Sequence, residues 1–418
     1  MGEVNGRRRV VITGMGCVTP LGLNVEDTWE GLVAGRSGID WLTSIDSSSY
    51  PVKVAGEVKG FDPEQYIDRK DARRMARFSQ LAVKAAQEAV ESSGLKPGDV
   101  DPERMGVLLG NGIGGFPNTE EAVRTIVGKG GMRVDPFFMP KMLPNMAAAH
   151  ISRRFQAKGY SATITTACAA ATQAMGDAAC VIRRGDADVM LAGGTEAGIS
   201  ELGMAAFCVM RVLSTRSDDP KKASRPFDAK RDGFVSSEGA GIFIFEEFEH
   251  ARARGAPILA EVIGAAATSD AYHIVAPCVD GEGAARCMRF ALADAGIALE
   301  EVDYINAHGT STLLNDASET AAIKAALGEH AYQVPVSATK SMIGHALGGS
   351  GALESIACVK TLQAGIIHPT INYEYPDPEC DLDYVPNVAR QADVRIILKN
   401  SFGFGGQNAC LVLRRFEG

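Results

Sequence analysis

Three side chains in this sequence have the types and settings that nucleophilic chemistry requires. Cys168 lies where two patterns meet. Ala162 to Thr166 are small or β-branched and read as a buried strand, and the alanine-rich run that follows, with Gln173 and Met175, reads as a helix. A thiol on such a strand-to-helix turn faces unpaired N–H groups and the positive end of the helix dipole, so it is expected to lose its proton more easily. A lone cysteine is more often a small buried apolar residue, so Cys168 needs partners elsewhere to count as a nucleophile. Two of the seven histidines qualify. His308, in Asn306-Ala-His-Gly-Thr-Ser-Thr312, and His345, in Lys340-Ser-Met-Ile-Gly-His345, each come just after a run that reads as strand. In an open α/β sheet all three would emerge at the carboxyl ends of strands, where such sheets bind ligands. A cysteine with two imidazoles there suits acyl transfer at a thioester.

Other chemistries fit less well. His250 and His330 lie on charged stretches that read as solvent-facing, while His150, His273 and His368 have no distinctive surroundings, so all five are expected to be structural. One cysteine and two histidines could hold zinc, but the sequence has no C-x-x-C pair and no H-E-x-x-H, so no metal is expected. Ser337-Ala-Thr-Lys340 matches S-x-x-K without the K-T-G that should accompany it. Gly110-Asn-Gly-Ile-Gly-Gly115 follows a strand and has dinucleotide-loop spacing. No helix is expected to open directly behind it, and Asp135 lacks a convincing strand, so the glycines read as places where two backbones approach closely. No cofactor is expected.

The elements that must position these residues alternate. Strands are expected at Val10–Thr13, Met105–Leu109, Val189–Gly193 and Gly241–Glu246, with helices at Val25–Ala34, Met75–Ser93, Thr172–Arg184 and Phe248–Arg254. Gly56 to Arg74 reads as a polar surface excursion, Val134 to Arg154 as an adaptable apolar surface rich in Phe, Met and Pro, and Phe207 to Pro226 as loop. Near Ile258 the pattern restarts. Helices are expected at Ala284–Ala295, Asp316–Leu327 and Gly351–Leu362, and strands at Val302–Asn306, Val336–Ala338, Ile396–Leu398 and Cys410–Leu413. The alternation implies parallel sheets covered by helices, in a duplicated α/β chain divided into 1–257, with the cysteine, and 258–418, with the histidines.

Composition narrows the class. A chain of 418 residues with 46% hydrophobic and 22% charged content is long enough for two α/β halves and ordinary for a soluble protein. Its 42 basic and 51 acidic residues give a net charge of −9, which argues against a nucleic-acid partner. Nine cysteines without close-spaced pairs indicate reduced thiols and a cytoplasmic setting. The basic-then-apolar start from Arg7 imitates a signal peptide, but Gly14 and Gly16 interrupt it, so it reads as a first strand; no run reaches membrane-spanning length.

Four motifs in order, Thr165-Thr-Ala-Cys-Ala169, Asn306 to Thr312, Thr339 to His345 and Asn400-Ser-Phe-Gly-Phe-Gly-Gly-Gln-Asn408, resemble those of the condensing enzymes of fatty-acid synthesis. The resemblance is nearest to the β-ketoacyl-[acyl-carrier-protein] synthase II group and covers nearly the whole chain. It implies a thiolase-like fold, with two βαβαβαββ halves in a five-layered α-β-α-β-α arrangement, and a homodimer. The implied reaction joins an acyl group on Cys168 to a carbanion made by decarboxylating malonyl-[acyl-carrier protein], with Nε2–H groups of His308 and His345 stabilising the enolate. Backbone N–H groups of Cys168 and Phe404 would receive the acyl oxyanion. Lys340 and Glu354 match positions that hold the histidines, Thr310 and Thr312 those that bind the pantetheine arm, and Phe404 a gate. Ile113, Phe207 and, across the dimer, Phe138 match acyl-pocket positions.

This chain departs from the pattern in having Val275 and Ala276 where many relatives carry hydroxyls, and in lacking a hydroxyl right after Cys168. Thiolases, which use a second cysteine, and the third ketosynthase class, which uses Asn, are disfavoured by His345. Non-catalytic chain-length partners lack the nucleophile that is present here. A ketosynthase of a specialised polyketide pathway stays open as an alternative.

Overall fold

The computed structural model describes residues 3, 4 and 7–418. The first half of the chain contributes strands β1 (Val10–Val18), β2 (Met105–Gly110), β3 (Ser161–Ile164), β4 (Val189–Ala197) and β5 (Glu238–Glu247). The second contributes β6 (Ala260–Ser269), β7 (Tyr304–Asn306), β8 (Val336–Ser337), β9 (Ile396–Gly403) and β10 (Gln407–Arg414). The first five strands lie in the order β1-β5-β4-β2-β3 and the second five as β6-β10-β9-β7-β8, so the same chain order recurs in each half. The halves meet where Ile12 and Val11 of β1 pair with Ala260 and Glu261 of β6, which makes one continuous ten-stranded sheet.

The sheet is mixed rather than purely parallel. β2 runs parallel to β3 and β4, and β7 parallel to β8 and β9, but the last strand of each half is antiparallel to both neighbours. In the second half the reason is local: β9 returns as β10 through a tight turn at Phe404–Gly406, too short for a crossover helix.

Helices cover the sheet in three layers, one between its two halves and one on the outer face of each. α1 (Arg77–Ser93) covers the outer face of the first half, with Phe78, Leu81, Ala82, Ala85 and Ala89 all buried at helical spacing. α3 (Ala170–Arg183) and α7 (Ser350–Ala364) pack against each other and against strands of both halves. α5 (Glu282–Ala295) and α6 (Leu313–Leu327) cover the outer face of the second half. Because both sheet faces are covered, alternate residues of one strand enter different cores: Phe243 and Phe245 face the central helices, while Ile242 and Ile244 face α1.

The halves also share a detail of close packing. Register slips between Ile12 and Gly14 in β1, and between Val262 and Gly264 in β6, and each bulge lies under a helix. A Cβ at Gly14 would sit 2.2 Å from the Ala89 carbonyl oxygen, and one at Gly264 would sit 2.4 Å from that of Ala291.

Several expectations need correction. The run before Cys168 is not a buried strand: β3 is short, ends at Ile164 and lies at the free edge of the sheet, with Ser161 exposed and the next three residues half-buried. α2 (Phe116–Lys129) opens directly behind the glycine-rich loop, where none was expected. Phe207 belongs to helix α4 (Glu201–Met210) rather than to a loop. His250 is not free on the surface, since its Nδ1 lies 2.6 Å from Glu246 Oε1. Gly56 to Arg74 includes a short helix at Arg69–Arg73.

Backbone-to-backbone contact at the paired bulges leaves no room for a side chain. Gly14→Ala and Gly264→Ala should each destabilise the fold by about 3 kcal/mol, read as a lowered midpoint in denaturant unfolding. A loss under about 1 kcal/mol at both positions would show that helix and strand can separate cheaply.

Candidate active site

Loops at the carboxyl ends of β3, β7, β8 and β9 converge on one cavity of about 410 Å³. Cys168, His308 and His345 line its inner end with Phe402, and the reactive atoms of the first three all lie within 4.8 Å of one another. The expected convergence of three distant segments is therefore present. Each of the three loops that carry these residues includes one non-glycine residue in the left-handed backbone region: Ala167 (φ +48°) before the cysteine, Ser311 (φ +68°) after the first histidine and Leu347 (φ +41°) after the second. Such residues cost on the order of 1–3 kcal/mol each and persist only where the surroundings over-determine them.

Cys168 occupies a single 3₁₀ turn, Ala167–Ala169, that leads into α3, and it is 6% exposed. Burial pushes its thiol up to about 11, against the opposing pull of the Lys340 charge and of the backbone N–H groups of Phe404 and of Cys168 itself. The expectation of an easily ionised thiol is thus corrected: desolvation of the sulfur outweighs the N–H groups directed at it. Those two N–H groups are the pair expected to receive an oxyanion. The nearest proton acceptor is His345, whose Nε2 lies 3.0 Å from Sγ.

Both histidines are 2% exposed, and both are held well below the ordinary imidazole range, by burial first and then by the Lys340 charge. They are therefore neutral at physiological pH. At His308 the Lys340 ammonium stands 3.3 Å from Nδ1 and donates to the His308 carbonyl at 2.7 Å. A donor at Nδ1 leaves the ring proton on Nε2, facing the cavity side. At His345, Nδ1 lies 2.8 Å from Ser350 Oγ, a hydroxyl that can donate or accept, so either tautomer is accommodated. The rings of the two histidines meet edge to face at 5.5 Å, and Phe234 and Phe402 each add an aromatic edge.

Lys340 and Glu354 form a fully buried ion pair rather than a surface one. Two further carboxylates that the sequence reading missed hold the loops. Glu319 accepts from the backbone N–H groups of His308 (2.8 Å) and Gly309 (2.7 Å), and Asp316 accepts from that of Thr310 at 3.1 Å. Their spacing of three on α6 is a signal that one face of that helix carries charge into the core. Glu196 accepts from the N–H groups of Gly112 (2.7 Å) and Gly348 (3.2 Å), tying the glycine-rich loop to the His345 loop. With the Gly114 and Gly115 N–H groups bonded to Asn111 and Met142, that loop has no amides left to cradle a phosphate.

Thr310 and Thr312 line the cavity with their hydroxyls 3.0 Å apart, and Thr312 also caps α6. Phe404 lines it from the β9–β10 turn, where Gly405 and Gly406 have positive φ. Val275 and Ala276 line the mouth, and both donate their N–H groups to His273 Nδ1 at 3.0 Å, which gives that overlooked histidine a place at the entrance. Ile113 and Phe207 pack in the apolar cluster behind Cys168, and Phe138 lies on the separate helix Phe138–Met142, outside the cavity of its own chain. Cys168, His308 and His345 are the one group of donors among the described residues that could hold a metal ion. The ammonium at His308 Nδ1, with a second buried lysine, Lys399, behind Glu354, makes the surroundings unfavourable for an added cation.

The free thiol offers a direct check. Because the sulfur is pushed up to about 11, alkylation of Cys168 by iodoacetamide in the free protein should rise roughly tenfold per pH unit from neutrality to above pH 9. A plateau already reached near pH 7 would mean that the N–H groups and His345 overcome burial.

Comparison with known proteins agrees with this arrangement. The family described as Beta-ketoacyl synthase, N-terminal domain, matches residues 7–251, and Beta-ketoacyl synthase, C-terminal domain, matches 259–374. The chain is 50% identical over 411 residues to a protein of Synechocystis named 3-oxoacyl-[acyl-carrier-protein] synthase 2, covering 98% of this chain and 99% of that one. A Staphylococcus aureus protein of the same name is 49% identical over 410 residues, again covering 98% and 99%. Among solved structures, the ishigamide ketosynthase/chain length factor superposes with a TM-score of 0.93 at 38% identity, covering 98% of this chain and 100% of that one. A type II polyketide acyl-carrier protein in complex with its ketosynthase gives 0.91 at 37% identity, with the same coverage. The chain belongs to the β-ketoacyl synthase family and has its thiolase-like fold.

Proposed function

We propose that this protein is the condensing enzyme of fatty-acid elongation, a 3-oxoacyl-[acyl-carrier-protein] synthase in which Cys168 carries the acyl chain and two neutral histidines serve the malonyl step. The observation that carries these roles is a buried thiol 3.0 Å from one imidazole, with a second imidazole beside it, at the inner end of a single cavity. The identity of about one half to synthases of fatty-acid type, against 37–38% to the polyketide-related structures, favours this pathway over the alternative.

In the first half-reaction Sγ attacks the acyl thioester of the carrier as its proton passes to His345 Nε2. The tetrahedral oxyanion is received by the N–H groups of Cys168 and Phe404, and the pantetheine sulfur leaves with the proton from His345. Malonyl carrier then enters, its carboxylate leaves as CO₂, and the electron pair of the broken bond becomes an enolate. Nε2–H of His308 stabilises the enolate oxygen, joined by Nε2–H of His345 once that ring has given up its Nδ1 proton to solvent and taken one from solvent at Nε2, with the Ser350 hydroxyl then donating to Nδ1. The carbanion attacks the acyl-cysteine carbonyl, and collapse expels the Cys168 sulfur as thiolate, which takes up one proton from solvent.

The remaining roles follow the cavity. Thr310 and Thr312 bind the pantetheine arm, with Val275 and Ala276 contributing contact but no hydroxyl. Phe404 swings as a gate, and Ile113 and Phe207 shape the acyl end, with Phe138 supplied by a second copy. A homodimer is supported by the free edge of β3 and by exposed Phe137, Met139 and Leu143. The halves divide at 257 and 258, as the repeated strand order suggests. Among the described residues no helix is long and apolar enough to cross a membrane, and the free cysteines suit a reducing cytoplasm. An acidic carrier protein would meet Arg211 at the cavity rim.

Cys168→Gln should leave malonyl decarboxylation running and abolish condensation, measured as CO₂ release against 3-oxoacyl product. His308→Ala should slow decarboxylation about 100-fold or more while Cys168 acylation falls less than tenfold. Equal losses in the two steps would remove the enolate role. Carrier affinity should weaken as salt rises from 50 to 300 mM and with Arg211→Glu; affinity indifferent to both would rule out charge-guided docking at the rim.

A further inference from the structure

Lys399 has no exposed surface, and the condensation described above makes no use of it. It stands in β9, and its Nζ lies 2.7 Å from Glu354 Oε2 and 2.8 Å from Thr172 Oγ1, and also meets the hydroxyl of Ser401. Thr172 Oγ1 is in turn 2.8 Å from Ser401 Oγ. Burying an ammonium costs several kcal/mol, and an apolar residue of similar length would satisfy this strand at least as well, so packing alone does not call for the charge.

Its partners account for it. Thr172 lies one helical turn behind Cys168 on α3, so it moves with the nucleophile. Glu354 lies one turn behind Ser350 on α7, the helix that starts at the hydroxyl touching His345. The other oxygen of Glu354 meets Lys340, which contacts His308 at both Nδ1 and the carbonyl. One buried cation thus connects the cysteine's helix to the elements that hold both histidines.

We propose that Lys399 is a positioning residue of the condensing centre, fixing Glu354 from the side opposite Lys340 and so keeping His308 and its lysine in register with the helix of Cys168. The proposal rests on the condensing-enzyme reading above. With both oxygens engaged, the carboxylate cannot turn wholly toward Lys340, and Lys340 stays at His308. Without Lys399, Glu354 is free to turn its second oxygen toward Lys340 as well, drawing that ammonium off His308 Nδ1. That loosens the enolate step, whereas attack by Cys168 on the first thioester does not call on His308.

The test uses the full-length protein with acyl and malonyl carrier proteins, following CO₂ release and, by mass spectrometry, acylation of Cys168. Lys399→Met should slow decarboxylation about tenfold while acylation stays within twofold. In a Glu354→Gln background the same substitution should cost less than a further twofold, because the route runs through that carboxylate. Methylammonium added to Lys399→Ala should restore part of the lost decarboxylation, and tetramethylammonium, too large for the vacated space, should not. Should Lys399→Met fail to fold, Lys399→Gln, which keeps an N–H donor for Thr172 and Ser401, is read the same way. Equal loss in both half-reactions, or an undiminished tenfold cost without Glu354, would overturn the proposal. If the unaltered protein takes no acyl group from the carrier, the condensing reading itself is wrong; if it runs both steps and the Lys399 variants match it, only this inference falls.

Discussion

A carboxylate with no exposed surface holds two ammonium groups at the centre of this protein, and the chemistry in front of it depends on that charge balance. An isolated buried charge of either sign would be driven to neutralise, and deleting one partner of a buried pair costs about 3–5 kcal/mol. Two lysines against one glutamate leave a positive surplus beside the histidines. Burial first, and then this surplus, disfavours a positive charge on either ring, so both imidazoles are neutral. The same surplus would favour negative charge on the sulfur or on the enolate oxygen of the proposed reaction.

The cysteine shows the other side of burial. A sulfur sealed from water is poorly placed to exist as a free thiolate, yet two backbone N–H groups and an imidazole nitrogen converge on it. On the function proposed above, such a site would withhold reactivity until a thioester enters, because the proton must leave and the charge must be delocalised in the same event. The left-handed residues beside Cys168, His308 and His345 belong to this economy of position: each re-aims a loop so that a side chain points inward from the end of a strand.

The duplicated architecture explains how so many polar groups come to lie so deep. Each half alone would expose the inner face of its sheet; stacked through α3 and α7, the two bury a shared core, and strand ends of both halves meet at its margin. The symmetry extends to the glycine bulges under α1 and α5, but the functions have separated. One half presents Cys168, and the other presents both imidazoles together with the lysines. Glu196 crosses the divide by bonding the backbones of Gly112 and Gly348, so neither half completes the site alone.

Much of this was readable from residue order. Apolar periodicity marked nearly every strand and helix, because burial on one face or two imposes a period that survives in the sequence. Cys168, His308 and His345 stood out because each followed a strand, and strand ends are where open α/β sheets bind ligands. Lys399, Glu319 and Glu196 did not stand out, since a charged residue within an apolar strand or helix carries no local sign of what it will face after folding. The mixed direction of the sheet, the exposed edge of β3 and the high proton affinity of the thiol were likewise decided in three dimensions. Pairing direction follows the route of the connections, and proton affinity follows the water excluded by distant segments. Order along the chain therefore determined which groups could react, and packing between the halves decided their charge, their tautomers and their distance from one another.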